Sequence, residues 1–449
     1  MSIADVLTDR IHERGPLTVA AFMELALYDP AFGYYTRAVK RSGRAGDFFT
    51  SVDVGPLFGE LLEMQLADMH GILAGLSLQP SALRSQPTSL SHPLLAISPQ
   101  PSAIRAPSPQ TPALADPPMA ISHQPSAIPP VAAFDLVEAA AGNGRLSADI
   151  LRAARTRDPA FYDALRLHLV EVSHEARRAQ QDALADVGDR LASSGPDLPD
   201  SFDGALVANE LLDAMPVHQV VMRDDGLREV YVDVARRAGH HHGAETPPLS
   251  LVTIDGPPST PDLQGYLDRL GITLEPGWRG EINLAAITWM REAARRIRRG
   301  FIILIDYGHE ARHLYTASRA GGTLTTYARH HSDGPESGSA TPPWLQHPGE
   351  RDITSHVDFT SVRAAAEEAG LTTLGFLDQT YFILGLLGDE GGRDFFPDAP
   401  DTNAARHTAL ALRTLMMPGG LGSTHKVLLL GKGVGRPVLR GCSSRVRVT

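Results

Sequence analysis

The chain has 449 residues, 43% of them hydrophobic and 21% charged, enough to bury a large core and hold one big or two ordinary domains. A formal net charge of -11 argues against general nucleic-acid binding, which needs basic surface to displace counterions. A single cysteine, Cys442, excludes an internal disulfide framework or a cysteine-cluster metal site, and no apolar run approaches the ~20 residues a membrane helix needs.

Residues 1–70 read as helical, because apolar residues recur at helical spacing in Ile3, Val6, Leu7 and Ile11 and again from Phe22 to Leu27. Asp5, Asp9, Glu13 and Glu24 suit neither a signal peptide nor an acid-poor transit peptide. A reducing cytoplasm is therefore expected, and a mature mitochondrial matrix protein would look the same. An aromatic loop from Tyr28 to Tyr35 follows. Next comes Gly46-Asp47-Phe48-Phe49-Thr50-Ser51, either a flap with Asp47 or Thr50 reaching inward or a helix-entry turn capped by Ser51 or Asp53.

Residues 75–130 differ in kind. They are rich in Pro, Ser, Gln and Ala, with unequally spaced echoes at Gln79, Gln100 and Gln124, and are expected to be a disordered or extended insert rather than a repeat array. Beyond them strand and helix alternate. Strands are predicted over 134–137, 166–172, 201–208 and 301–305, with helices over 146–155, 175–187 and 285–298. This alternation implies a mostly parallel sheet covered on both faces. Short strands fill 219–234 and 249–254, the run from Met417 to Leu430 reads as a closing hairpin strand, and the tail beyond Gly431 reads as polar and mobile.

Chemistry concentrates where these strands end. The run Asp135 to Leu151 passes from strand to helix through a small-residue turn, Glu138-Ala-Ala-Ala-Gly142-Asn-Gly144, which lets an adenosine-bearing ligand lie on bare backbone. Glu138 at the strand tip favours a cationic guest over a pyrophosphate. The predicted second strand reaches Glu171, placed to accept hydrogen bonds from ribose hydroxyls, or else to stand before the helix start at Ser173. After the third core strand, Asn209, Glu210 and Asp213 leave the sheet together, a helix cap or a cluster needing partners. His330, His331, His347 and His356 lack tight ligand spacing, and the triplet His240 to His242 sits in polar sequence, so no metal site is expected.

The chain resembles the MidA family of class I S-adenosylmethionine-dependent methyltransferases, which includes a mitochondrial complex I assembly factor that methylates an arginine. The residues that carry the resemblance run nearly end to end. They are Tyr28-Asp29-Pro30 with Gly33-Tyr34-Tyr35, Gly46-Asp47-Phe48 with Thr50-Ser51, Phe58-Gly59-Glu60, and the glycine loop with Glu138. The match continues through Asn209-Glu210 with Asp213-Ala214 and Pro216, Asp306-Tyr307-Gly308, Gly322-Thr323-Leu324, and Pro348-Gly349-Glu350 with Asp352-Ile353-Thr354 and His356-Val357. Two departures stand out. Alanine at 140 or 141 occupies a position where the family usually has glycine, and His425 stands where an aromatic is usual.

The resemblance implies an α/β fold: a Rossmann-like class I methyltransferase sheet with an N-terminal helical segment and an inserted substrate-side subdomain. Its divisions would be 1–74, the insert 75–130, a methyltransferase domain over 131–433 with inserted strands near 215–285, and a flexible tail over 434–449. It implies S-adenosyl-L-methionine as cofactor, held by Glu138, Ala140, Gly142, Gly144 and Glu171 with Asp47 and Thr50 from the flap. Glu210, Asp213 and Asn209 would act on the substrate, Glu210 first. The implied partner is a protein, such as a complex I subunit, with no nucleic acid or membrane insertion and with a homodimer left open. Two rivals remain at this level: an assembly factor that keeps the fold without transferring methyl groups, and a dinucleotide-dependent oxidoreductase, which the missing Gly-x-Gly-x-x-Gly pattern disfavours.

Overall fold

The structure, a computed structural model, describes residues 2–37, 49–75, 133–235, 250–328, 331–333, 341–395 and 403–443. The proline-rich insert, Asp47 with most of the expected flap, and the triplet His240 to His242 lie outside the described residues.

Seven strands build the main sheet: β1 (Phe134–Ala139), β2 (Leu165–Val170), β3 (Leu191–Gly195), β4 (Phe202–Asn209), β5 (Ile297–His309), β6 (Thr372–Asp378) and β7 (His425–Lys432). Their spatial order is β6-β7-β5-β4-β1-β2-β3, and the two-residue strand Val357–Asp358 pairs with the end of β5. The first five strands run parallel, whereas β7 lies antiparallel between β5 and β6. The chain order reverses between β1 and β4, which start neighbouring connections in opposite directions and open a crevice at their carboxyl ends.

Period-two alternation assigns each strand residue to a face. Leu136, Val207, Ile303 and Leu429 enter a core with the helices Leu57–Leu73, Arg145–Arg157 and Gln379–Phe395. Val137, Leu206, Leu304 and Leu428 enter the opposite core with the helices Asp262–Leu270, Leu284–Arg296 and Phe359–Glu368. A third core joins the N-terminal helices Ile3–Arg14 and Val19–Tyr28 to a second, antiparallel sheet. That sheet is made of Leu17–Thr18, His218–Arg223, Gly226–Val234, Leu251–Gly256 and Arg279–Ile282.

Several expected elements need correction. The strand predicted over 166–172 ends at Val170, so Glu171 follows the strand rather than closing it. The strand over 301–305 extends from Ile297 to His309, because its neighbours supply hydrogen-bond partners along its length. The closing run from Met417 is not a tight hairpin. It contains the short helix Leu421–Thr424 before β7, and β7 pairs with a strand that ended at Asp378. The expected tail is also packed as far as Ser443: Leu439 is buried, Gly441 N donates to Gln65 Oε1 at 2.8 Å, and Arg440 pairs with Asp68 at 3.1 Å.

At the amino ends of the sheet, Gly204 of β4 and Gly300 of β5 face one another in register with φ of 149° and 146°. A Cβ on Gly204 would be driven into the Asp135 carbonyl of β1. Gly204→Ala should therefore cost more than about 1 kcal/mol, lowering the midpoint of denaturant unfolding. An unchanged midpoint would show that these strands separate freely.

Candidate functional site

The carboxyl ends of β1, β2, β4 and β5 meet the amino end of β7 along one edge of the sheet, and two groups of residues gather there. The first surrounds the small-residue turn after β1. Ala140, Gly142 and Gly144 have φ of 56°, 50° and 78°, so the chain turns by repeated left-handed steps. Only Ala140 among these carries a Cβ into that conformation, and Ala141 does not. The glycine that the family pattern prefers is thus missing at 140, where it is conformationally useful. A Cβ on Gly142 would meet open space, as expected for backbone facing a ligand, whereas one on Gly144 would press against Gln180 and Leu169.

The turn is held by groups that periodicity does not reveal. Glu171 Oε2 accepts from Gly142 N at 2.8 Å and Oε1 accepts from Ser173 N at 2.7 Å. Each carboxylate oxygen keeps further lone-pair capacity. Buried Gln180 donates to Gly142 O at 2.9 Å and accepts from Ser194 Oγ at 2.7 Å, tying the turn to β3. Arg145, the first residue of the following helix, pairs with Asp53 at 2.6 Å. Asp53 also accepts from the main chain and hydroxyl of Thr50, both at 3.0 Å. Thr50 thus reaches the glycine turn through Asp53 and Arg145, and it caps the short helix Ser51–Val54 where the sequence suggests Ser51 or Asp53 as the cap.

Glu138 is 5% exposed and its Oε2 accepts from Ser147 N at 3.2 Å and from the Ser147 hydroxyl. Burial pushes its carboxyl up to about 8; the Ser147 hydrogen bonds oppose this and the Glu171 charge adds to it. A buried acid with these neighbours gains from a cationic guest.

The second group stands across the switch point. Glu210, just past β4, has φ of 52° and donates its N–H to Ile305 O at 2.8 Å. Such a backbone in a non-glycine residue is costly and persists only when its surroundings hold it. Asn209 donates to Glu210 Oε1 at 3.3 Å, and His425 Nε2 lies 3.5 Å from the same oxygen. The next turn is organised by buried Asp306, whose Oδ2 accepts from Leu211 N, Leu212 N and Asp213 N at 3.1, 2.8 and 3.4 Å, while Oδ1 accepts from Tyr307 N at 2.9 Å. Asp306 thereby anchors the path of the chain after β4.

Asp213 is buried, and burial followed by the Asp306, Asp352 and Glu210 charges pushes its carboxyl well above the usual range, with the Tyr307 hydroxyl opposing. Asp352 accepts from Tyr35 OH at 2.8 Å, Tyr35 stacks on Tyr28 with centroids 5.5 Å apart, and Tyr28 OH donates to Ala214 O at 3.0 Å. The N-terminal aromatics thus reach the acids from a distant part of the chain. Among the described residues, Asn209 Oδ1, Asp213 Oδ1, Tyr307 OH, Thr354 Oγ1, His356 Nδ1 and His425 Nε2 are all buried without a hydrogen bond. Buried polar atoms normally have partners, so this concentration marks a place built to receive one. Sequence reasoning did not find Ser147, Gln180 or Arg145, whose roles depend on tertiary neighbours.

A family model described as S-adenosyl-L-methionine-dependent methyltransferase matches residues 121–377. The chain is 25% identical to the mitochondrial protein arginine methyltransferase NDUFAF7 homolog of Drosophila melanogaster, covering 96% of this chain and 85% of that protein. It is likewise 25% identical to the mitochondrial protein arginine methyltransferase NDUFAF7 of Mus musculus, covering 92% and 80%. A crystal structure of a COG1565 superfamily member from Burkholderia thailandensis, bound to S-adenosyl-homocysteine, superposes with a TM-score of 0.75 at 24% identity. It covers 98% of this chain and 94% of that one, and the likeness shows a shared fold.

Two outcomes follow from the glycine turn. Ala140→Gly should relieve about 1 kcal/mol of backbone strain and tighten S-adenosylmethionine binding in a calorimetric titration, whereas weaker binding would mean the methyl contributes a contact. Glu138 has a raised carboxyl pKa in the fold, so between about 4.5 and 8 the native state binds more protons than the unfolded chain. Its contribution to stability is full below pH 4.5 and is lost as pH rises through 8. Glu138→Gln should flatten that part of the stability profile, and an unaltered slope would remove Glu138 as its source.

Proposed function

The chain belongs to the S-adenosyl-L-methionine-dependent methyltransferase family, and from that premise we propose that it methylates arginine side chains of a protein partner. When bound, S-adenosylmethionine supplies a methyl group on positively charged sulfur. The residues fit this donor: Gly142 offers open backbone, Glu171 stands beside it with spare acceptor capacity for ribose hydroxyls, and Glu138 is a buried acid suited to the ammonium or its bound water. Ala140 and Gly144 shape the turn and Thr50 steadies it from the side, while Asp47, outside the described residues, enters this reading through the family resemblance alone.

The observation that carries the arginine reading is the cluster across the switch point. Glu210 and Asp213, with the unpartnered Asn209 Oδ1, form a set of acceptors next to stacked tyrosines. A guanidinium is planar, cationic and rich in N–H donors, and it matches such a set better than an amine or a hydroxyl does. Its charge is delocalised, which makes it a poor nucleophile. Acids held on the outer nitrogens orient it and draw charge away from the attacking one. The names of the relatives in fly and mouse point the same way. The resemblance described above extends the reading to a complex I subunit as the partner.

One observation favours a second reading. Ala140 strains the turn that would hold the donor, which suits an assembly factor that has kept the fold and lost the transfer. The decisive comparison is mass spectrometry of arginine peptides from cells with and without the protein. A methylated site should vanish on deletion, return with the intact chain, and stay absent with Glu210→Gln, whose purified form should lose about 100-fold in kcat. Arginine methylation unchanged by deletion, together with no S-adenosylmethionine binding by titration, would establish the second reading instead.

A further inference from the structure

His425 opens β7 directly opposite Tyr307 of β5, with the two rings 5.9 Å apart. It is 6% exposed. The groups that face it are Glu210 beyond β4, Asp306 and Tyr307 on β5, and Thr424 on the preceding turn. The carboxylate of Asp306 is committed to four main-chain N–H groups and the Tyr307 hydroxyl faces Asp213, which leaves Glu210, Thr424 and the Leu421 carbonyl as the groups at His425's two nitrogens.

The contacts decide which nitrogen carries hydrogen. Thr424 Oγ1 donates its one hydrogen to Gly420 O at 2.8 Å. Toward His425 Nδ1, 3.1 Å away, that hydroxyl is left as an acceptor, so Nδ1 carries the hydrogen of the neutral ring. Nε2 then presents a lone pair to Glu210 Oε1 at 3.5 Å, buried and without a hydrogen bond. Two acceptors facing each other in a buried site are satisfied only when one proton lies between them.

We propose that His425 is a relay residue, which takes from Glu210 the proton that methyl transfer releases. The inference rests on the methyl-transfer reading above and adds the destination of that proton. The balance is as follows in atoms and charge. The attacking nitrogen forms a bond to the methyl carbon while the carbon–sulfur bond breaks, its electron pair staying on sulfur to leave the neutral thioether. An N–H bond of the same nitrogen breaks, the electron pair stays on nitrogen, and the proton passes to Glu210 Oε1. Two positive charges, guanidinium and sulfonium, become one methylguanidinium and one proton. Transfer of that proton to Nε2 restores the Glu210 carboxylate and creates an imidazolium beside it, held at Nδ1 by Thr424.

The electrostatics agree with this pairing. Burial opposes charge on His425, yet Glu210 and then Asp306 outweigh it and raise the histidine above its usual value. The ring must be neutral to accept a proton, so kcat should rise with pH through that raised value and level off above it.

The test uses the full chain labelled with nitrogen-15 in histidine, with His425→Gln to identify the resonances. The neutral ring should show the Nδ1–H tautomer, and its titration midpoint should fall by about one pH unit in Glu210→Gln. Thr424→Val should shift the tautomer balance toward Nε2–H. For activity, the probe is the arginine peptide recovered from the deletion comparison. His425→Gln and His425→Phe should each lower kcat roughly tenfold near neutral pH and lose the acid limb, with KM for the peptide changing less than about twofold. An Nε2–H tautomer in the intact chain, a midpoint indifferent to Glu210, or a pH profile unaltered in His425→Gln would each overturn the relay. The expected tautomer and midpoint without any arginine methylation would refute the arginine reading and support the proton pair.

Discussion

Asp306 holds the site together. Its buried carboxylate gathers three consecutive N–H groups from Leu211 to Asp213 and a fourth from Tyr307. A carboxyl removed from water needs such donors, and the backbone supplies them only by folding around it. The chain after β4 is therefore forced into one tight path, which leaves Glu210 in a left-handed conformation and delivers Asp213 beneath the tyrosines. Burial and the Glu210 charge push the Asp306 carboxyl up as well, so the anchor is under electrostatic stress from the group it positions.

The same economy of acids shapes the donor side. Glu138 near the end of β1 and Glu171 just past β2 lie on adjacent strands; the Glu171 charge adds to the cost of ionising Glu138, which Ser147 relieves, while Gly142 N and Ser173 N donate to Glu171. Acids therefore stand on both sides of the crevice, Glu138 and Glu171 on one and Glu210 and Asp213 on the other. Both partners of the proposed reaction are cationic, and a low-dielectric crevice would strengthen its attraction for each. Burial raises the Glu138 and Asp213 carboxyls, so a cationic guest that favoured their charged forms would release protons on binding.

Legibility in the sequence followed the range of the interaction. The strand, turn and helix around Glu138 were readable because apolar periodicity and glycine act within a few residues, and the core strands fell near their expected places for the same reason. Strand ends were less readable. β5 gained residues at both ends because β4 and β7 pair with it, and no local pattern reports a neighbour's length. His425 was visible only as a departure from a family pattern, and its contact with Glu210 joins residues more than two hundred positions apart.

The amino-acid order by itself determined that this chain would form a covered parallel sheet with a bare-backbone turn beside an acid, since hydrophobic alternation and glycine's conformational freedom are properties of short segments. Tertiary structure decided which of several acids became anchors, as Asp306 did by gathering four main-chain N–H groups. It also decided that Ala140 rather than Ala141 bears the backbone strain, that Tyr28, Tyr35 and Asp352 gather together, and that His425 meets Glu210. The physical reason is that the cost of a buried charge depends on every group around it, and those groups arrive from distant parts of the chain only when it folds.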